Sequence, residues 1–361
     1  LSLVYSYFLL KMKIKKKYKL PLDKFIDYCL YNKQKGYYIK NNPFGKKGDF
    51  TTAPNISRLF SEMIAIWILS FWQNLGCPKN FNLVELGAGN AEMMKILIES
   101  FRKFPNFLSS CNIFILEKSS LLTKIQKKNL KGNKVIWLTN LKKLKKKPTI
   151  FIANEFFDAI PIKQFFKLNN SWFERFVSIK NKENVFFFDK KFNMEKFEKK
   201  IKYQISSKQN FIEYSEEGVK YLSNISNIIK KNEGGLLLID YGYFERKMKN
   251  TLQAISNHKY SNVLRNIGHS DITHNINYNL FKKIIQNIGG LKVKTTTQRN
   301  FLIKVGIKQR AEIISKNLTF LKKADIYYRL ERLININQMG SLFKVMLVKN
   351  KNIKSNLGFQ K

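Results

Sequence analysis

The sequence predicts an α/β protein with a doubly wound, mostly parallel sheet that carries inserted antiparallel strands and accessory helices. Three observations lead there. Apolar runs of strand length alternate with helical patterns along most of the 361 residues. Several of these runs end in acids or amides, as expected at the carboxyl edge where such sheets bind ligands. One run, Leu83-Val84-Glu85-Leu86, opens onto Gly87 and Gly89. Those glycines let the backbone turn tightly and approach a ligand without an intervening Cβ.

Taken in order, Leu1 to Leu10 is apolar and is followed by Lys11, Lys13, Lys15, Lys16 and Lys17. A secretory signal places its charge first, so residues 1–19 read as a basic extension. A mis-assigned start, with Met12 as the first residue, is an equal reading. Leu22, Phe25, Ile26, Cys29 and Leu30 predict a short helix within 20–35, ended by Gly36. Gly45 to Asn55 is rich in turn formers and too polar for a core. Asn55 or Ser57 caps the next helix, whose Leu59, Phe60, Met63, Ile66, Trp67 and Phe71 give a broad apolar face against the sheet. Arg58, Glu62 and Gln73 keep that run too short to span a membrane.

The glycine turn leads into a helix from Ala91 to Ile98, whose first N–H groups face any bound ligand. A second strand, Asn112 to Leu116, reaches Glu117, and a helix follows from Ser119 to Asn129. Strands at Val135–Leu138 and Pro148–Asn154 come next, the latter running into Glu155. Residues 165–205, with Trp172, Phe173, Phe176, Val185, Phe186 and Phe187, read as antiparallel strands. The helix Glu216–Asn232 leads into the buried strand Gly235–Gly242. Tyr243 to Asn275 is loop-like, and the helix Tyr278–Ile288 stops at Gly289-Gly290. Last strands are expected at Phe301–Gly306 and Leu342–Val348, with two helices over roughly 308–336 between them. The pattern gives one domain over 20–349, with insertions at about 160–210, 243–275 and 308–336, and a flexible tail at 350–361.

A net charge of +41 ordinarily points to nucleic acid or a membrane surface. Only nine of the 66 basic residues are Arg, however, whereas grooves that read phosphates and bases favour its planar fork. Stable nucleic-acid binding is therefore not expected. Cys29, Cys77 and Cys111 are odd in number and widely spaced, and His258, His269 and His274 form no i, i+4 pair. Neither a disulfide framework nor a metal site is indicated.

The glycine motif does not complete a dinucleotide fingerprint, because its third glycine would fall at Glu92, an anion that repels a pyrophosphate. Glu85, before the loop, and Glu92 suit a ligand with positive charge and free hydroxyls. S-adenosyl-L-methionine, with a sulfonium, an amino group and a ribose, is such a ligand. An ordinary strand-turn-helix joint is the alternative. Glu117 lies thirty residues beyond Gly87, where an acid can accept hydrogen bonds from both ribose hydroxyls, or it is a chance surface acid.

Six blocks in order resemble the MidA family of methyltransferases: Gly48–Ser57, Val84–Gly89, Ala153–Pro161, Ile239–Tyr243, Thr251–Ala254 and Met339–Val345. The chain departs from the family pattern at Asn55, Ala88, Asn90 and Ala91, where Glu, Pro, Arg and Gly are usual, and at Thr273-His274-Asn275. The resemblance implies a Rossmann-like class I methyltransferase that uses S-adenosyl-L-methionine to methylate arginine on a protein substrate, such as a core subunit of respiratory complex I. An assembly chaperone with little turnover and an RNA methyltransferase remain open. Glu85, Gly87, Gly89, Glu117 and Asn154 are the expected cofactor residues. Glu155, Asp158, Asp49 and His258 are the expected catalytic ones. Asp158 serves equally well as a helix cap, His258 as a structural residue, and Asp240 is expected to orient a neighbouring loop. The implied compartment is the bacterial cytoplasm or the mitochondrial matrix, with no membrane span and a homodimer as an open state.

Overall fold

A computed structural model describes residues 18–40, 52–180, 184–256 and 259–360. The chain divides into two compact units. One comprises the described residues up to Tyr37, with Pro161–Glu216 and Lys247–Ile272; the other comprises Tyr38–Ile160, Glu217–Arg246 and Thr273–Lys361.

The larger unit is built on a sheet of Phe81–Leu86, Cys111–Leu116, Val135–Leu138, Thr149–Asn154, Gly234–Tyr243, Leu291–Thr297 and Phe343–Asn350. Numbered in sequence order, these seven strands lie side by side as 3-2-1-4-5-7-6. The first five are mutually parallel, and Phe343–Asn350 runs antiparallel to both of its neighbours. Their apolar composition follows from burial on both faces. Leu83, Ile113, Ile115, Ile150 and Ile152 pack on one face with the helices Arg58–Asn74 and Glu92–Phe101. Val84, Leu86, Phe114, Phe151 and Leu238 pack on the other with Glu216–Asn232 and Tyr278–Ile288. Strand order reverses between Phe81–Leu86 and Thr149–Asn154, and the crevice at such a switch point is where open α/β sheets take their ligands.

Two expectations fail in this unit. Phe301–Gly306 is not a strand: Gln298–Val305 is a helix, capped by the Thr297 hydroxyl on Asn300 N at 3.2 Å and ended by Gly306 at φ 105°. The strand is the preceding Leu291–Thr297, whose Val and Thr residues suit a pleated surface. The tail is not loose either. Ile353 and Phe359 are buried in the core, and Phe359 packs on Phe301 at 5.6 Å between ring centroids.

The smaller unit contains an antiparallel sheet of Tyr18–Pro21, Lys163–Leu168, Ser171–Ile179, Val185–Phe192 and Phe211–Tyr214, covered in part by the helix Leu22–Tyr31. Its aromatic strands are those anticipated over 165–205, except that Met194–Ile201 within that span is a helix, and Gln253–Ser256 and Lys259–Ser261, expected to be loop, pair as antiparallel strands. Lys163 Nζ joins Asp23 at 3.0 Å and Glu174 at 2.9 Å, tying helix to sheet.

Candidate active site

The carboxyl ends of the strands Phe81–Leu86 and Thr149–Asn154 carry most of the residues expected from sequence. Gly87 sits at φ 64° and Gly89 at φ 53°, left-handed conformations that disfavour any side chain. Gly87 N donates to Leu116 O at 2.9 Å, and a Cβ on Gly87 would come within 2.8 Å of Phe156 Cδ2. The turn therefore depends on glycine both for its backbone angle and for the ring packed against it.

Side chains along a strand alternate between faces. Glu85 shares the face of Leu83, Asn154 that of Ile152, and Glu117 continues the face of Ile115, so all three project toward the side of the helices Arg58–Asn74 and Glu92–Phe101. Glu85 is buried inside its strand, and burial, then the nearby Glu117, pushes its carboxyl up to about 8. Glu117 is also raised by burial, although hydrogen bonds from Ser119 N at 2.8 Å and Gln126 Nε2 at 2.9 Å oppose the shift.

Gln126 is the residue that sequence reasoning missed. Its amide nitrogen donates to Gly89 O and to Glu117 Oε2, both at 2.9 Å, and its oxygen accepts from Trp137 Nε1 at 2.9 Å. It thereby ties the glycine turn, the acid after the second strand and the third strand together. The available signal was a fully buried amide four residues after Leu122 on the apolar stripe of its helix.

Glu155 interrupts the alternation. At φ 51° its backbone is left-handed, and its Oε1 accepts from the adjacent Asn154 Nδ2 at 3.1 Å and from Ala53 N at 3.4 Å. Such strain persists only where the surroundings over-determine it, and it concentrates at functional sites. The short helix Ala53–Ile56 meets the glycine turn as well, because Asn55 Oδ1 accepts from Asn90 Nδ2 at 3.1 Å. Asn55 and Asn90, thirty-five residues apart in sequence, are thus partners. Asn90 Oδ1 also accepts from Glu92 N, the first residue of the following helix, at 3.2 Å.

Asp158 is buried, and burial followed by the charge of Glu155 holds its carboxyl well above the usual range. Its carbonyl accepts from His274 N at 3.1 Å, while His274 Nε2 lies 3.2 Å from Ile160 O, a structural use of that imidazole. Asp240 orients the neighbouring loop, as expected. Its Oδ2 accepts from the N–H groups of Phe156, Phe157 and Asp158 at 3.2, 2.9 and 3.3 Å. Burial, then Asp158, raises its carboxyl. Asp49 and His258 lie outside the described residues.

Among the described residues, Glu85 Oε2, Asn154 Oδ1 and Asp158 Oδ1 are buried without a hydrogen-bond partner. A buried, unmatched acceptor costs roughly 1–3 kcal/mol. Three acceptors at one sheet edge fit a ligand that brings hydroxyl or ammonium donors and positive charge, as the amino group, ribose and sulfonium of S-adenosyl-L-methionine do. No three metal-ligating side chains come together among the described residues.

Comparisons with known proteins agree with this chemistry. Residues 63–297 match the family of S-adenosyl-L-methionine-dependent methyltransferases. The Xenopus laevis protein named "Protein arginine methyltransferase NDUFAF7, mitochondrial" is 28% identical over 93% of this chain and 82% of its own length. The Homo sapiens protein of the same name is 26% identical over 92% and 81%. A Burkholderia thailandensis protein crystallised with S-adenosyl-homocysteine shares the fold with a TM-score of 0.78 at 22% identity, over 94% of this chain and 90% of that one.

Proposed function

The chain belongs to the family of S-adenosyl-L-methionine-dependent methyltransferases, with S-adenosyl-L-methionine as cofactor, and from that premise we propose that it methylates an arginine side chain of a protein substrate. The observation that carries the proposal is the acidic cluster that follows the strand Thr149–Asn154, in which Asp158 and Asp240 are buried and Glu155 is half-buried. Relatives named as mitochondrial protein arginine methyltransferases support it. A subunit of respiratory complex I is the candidate substrate, and the mitochondrial matrix is the candidate compartment.

The bound cofactor supplies an electrophilic methyl group on a sulfonium. Glu85, Glu117 and Asn154 hold it, Glu85 and Asn154 through acceptors that are otherwise unmatched. The substrate guanidinium holds its proton far above neutral pH, so a fully neutral guanidine at pH 7 would cost roughly 8 kcal/mol. Glu155 and Asp158 avoid that cost by gripping the guanidinium through its N–H groups, aligning one nitrogen for in-line attack and accepting a proton as the bond forms. Their negative charge also offsets the approach of two cations. Asp240 positions Asp158 through the backbone of residues 156–158 and does not touch substrate. In the empty site burial and the charge of Glu155 keep the Asp158 carboxyl largely protonated; the cationic cofactor and guanidinium favour its charged form, in which it grips the substrate and accepts the proton.

Transfer of labelled methyl from the cofactor into complex I subunits and into cell lysate tests this. Label recovered as methylarginine after proteolysis is the expected result. Nuclease-sensitive label would make the chain an RNA methyltransferase, and no label in either pool would leave it a cofactor-binding assembly chaperone. Glu155→Gln should lower transfer by about 100-fold while cofactor affinity stays within a few fold; equal loss of both would reassign Glu155 to cofactor binding.

A further inference from the structure

Behind the glycine turn and Glu117, the side chains of Gln126 and Trp137 form a chain of directed hydrogen bonds. Trp137 lies opposite Ile115 across the sheet, on the face that Glu117 continues. Its Nε1 donates to Gln126 Oε1 at 2.9 Å. An indole nitrogen only donates, whereas an ionised carboxylate and a backbone carbonyl only accept. The Gln126 amide therefore has one workable orientation, with its oxygen toward Trp137 and its N–H groups divided between Gly89 O and Glu117 Oε2. Turned over, it would set its oxygen against two acceptors and its nitrogen against a donor. Gln126 is fully buried, out of reach of the bulk water that could replace a lost partner.

The consequence falls on Glu117. Its Oε1 accepts from Ser119 N at 2.8 Å and its Oε2 from Gln126, so a donor fixes each oxygen. Glu117 nevertheless stays partly exposed, and an ionised carboxylate has about four acceptor positions. It can take hydroxyl donors from a ligand without giving up these bonds. The helix that carries Gln126 also grips the turn a second time, through Asn129 Nδ2 on Asn90 O at 2.9 Å. We propose that Gln126, locked by Trp137, is a positioning residue for the cofactor: it aims Glu117 at the ribose hydroxyls and keeps that acid in register with the glycine turn, touching no ligand itself. The proposal rests on the assignment of Glu117 to the cofactor. A carboxylate that is already oriented loses little freedom when the hydroxyls arrive, so the gain is read as a preference for ribose over a sugar without them.

Calorimetric titration of the full chain with S-adenosyl-homocysteine, and with its dideoxyribose analogue that lacks both hydroxyls, tests this. Wild type is expected to bind the ribose form about 100-fold more tightly. Gln126→Met, of similar length but without the amide, is expected to shrink that ratio at least about tenfold. Trp137→Phe keeps a ring in place and frees the amide to turn over. It should lower the ratio about threefold, and it decides the matter if Gln126→Met does not fold. Glu117→Gln should remove most of the preference. If Glu117→Gln leaves the ratio intact, the ribose is held elsewhere, and the assignment of Glu117 falls together with the proposal. If Glu117→Gln removes the preference while the other two variants retain it, Glu117 stands and the proposal is overturned. Equal weakening of both ligands by Gln126→Met, with the ratio unchanged, would likewise overturn it and make Gln126 a packing residue only.

Discussion

Glu85 is a carboxyl with no matched partner for one of its oxygens, held inside a strand where burial favours its neutral form. A cationic ligand favours the charged form, so binding should release a proton. Below the raised value of about 8, cofactor affinity should climb with pH by up to about tenfold per unit and then level off. Glu85→Gln should flatten that profile and weaken binding at pH 8. Calorimetric titration across pH 6 to 9, in buffers of different ionisation enthalpy, measures both; a wild-type affinity independent of pH would remove Glu85 from the binding site. Sequence pattern was enough to single out Glu85, because an acid within an apolar strand beside a glycine turn is locally anomalous. Gln126 drew no such attention, since its value lies in three partners that only the fold brings within reach.

At the scale of elements, the expectations failed near the C-terminus. Phe301 to Val305 is a short apolar run, compatible with a strand or a buried helix, and periodicity does not decide between them. Thr297 and Gly306, a cap at each end, decided for helix. The tail was expected to fray because it is polar, yet it is clamped by a buried cation: Lys349 Nζ donates to Ile353 O at 2.7 Å, to Ser355 O, and to Asn356 Oδ1 at 3.2 Å. Lys349→Met should keep the apolar stem, lose these bonds and destabilise the tail by roughly 2 kcal/mol. Hydrogen exchange over residues 353–359 checks this: protection should fall there and persist in the central strands. The loop after Thr149–Asn154 illustrates the opposite case. Its ordering by Asp240 was anticipated from an acid at the end of the next strand, and three backbone N–H groups on one oxygen fulfil it.

Across the molecule, Glu85, Glu117, Asp158 and Asp240 all have their proton affinities raised by burial. The sign of the linkage follows directly. An acid whose folded value lies above its unfolded value binds more protons when folded, so its contribution is complete below the unfolded value and disappears as pH rises through the folded one. For Glu85 the window runs from 4.5 to about 8. The cofactor-free protein should therefore lose stability from pH 5 to 8, by at most about 1.4 kcal/mol per pH unit for each acid that ionises. Denaturant unfolding at pH 5, 6.5 and 8 measures the trend, and a rise over that range would mean that these carboxylates stay charged in the fold.

The sequence by itself determined the alternation of strands and helices, the glycine turn and the acids at the strand ends. These are properties of neighbouring residues: apolar period, the missing Cβ, and charge placed where a strand stops. Only the tertiary structure decided that Asn55 meets Asn90, that Gln126 joins three elements, that Glu155 turns left-handed toward Asn154 and Ala53, and that three acceptors stay unmatched. Each of these depends on packing between segments distant in sequence, and pairwise contacts of that kind leave no period or composition in a single chain.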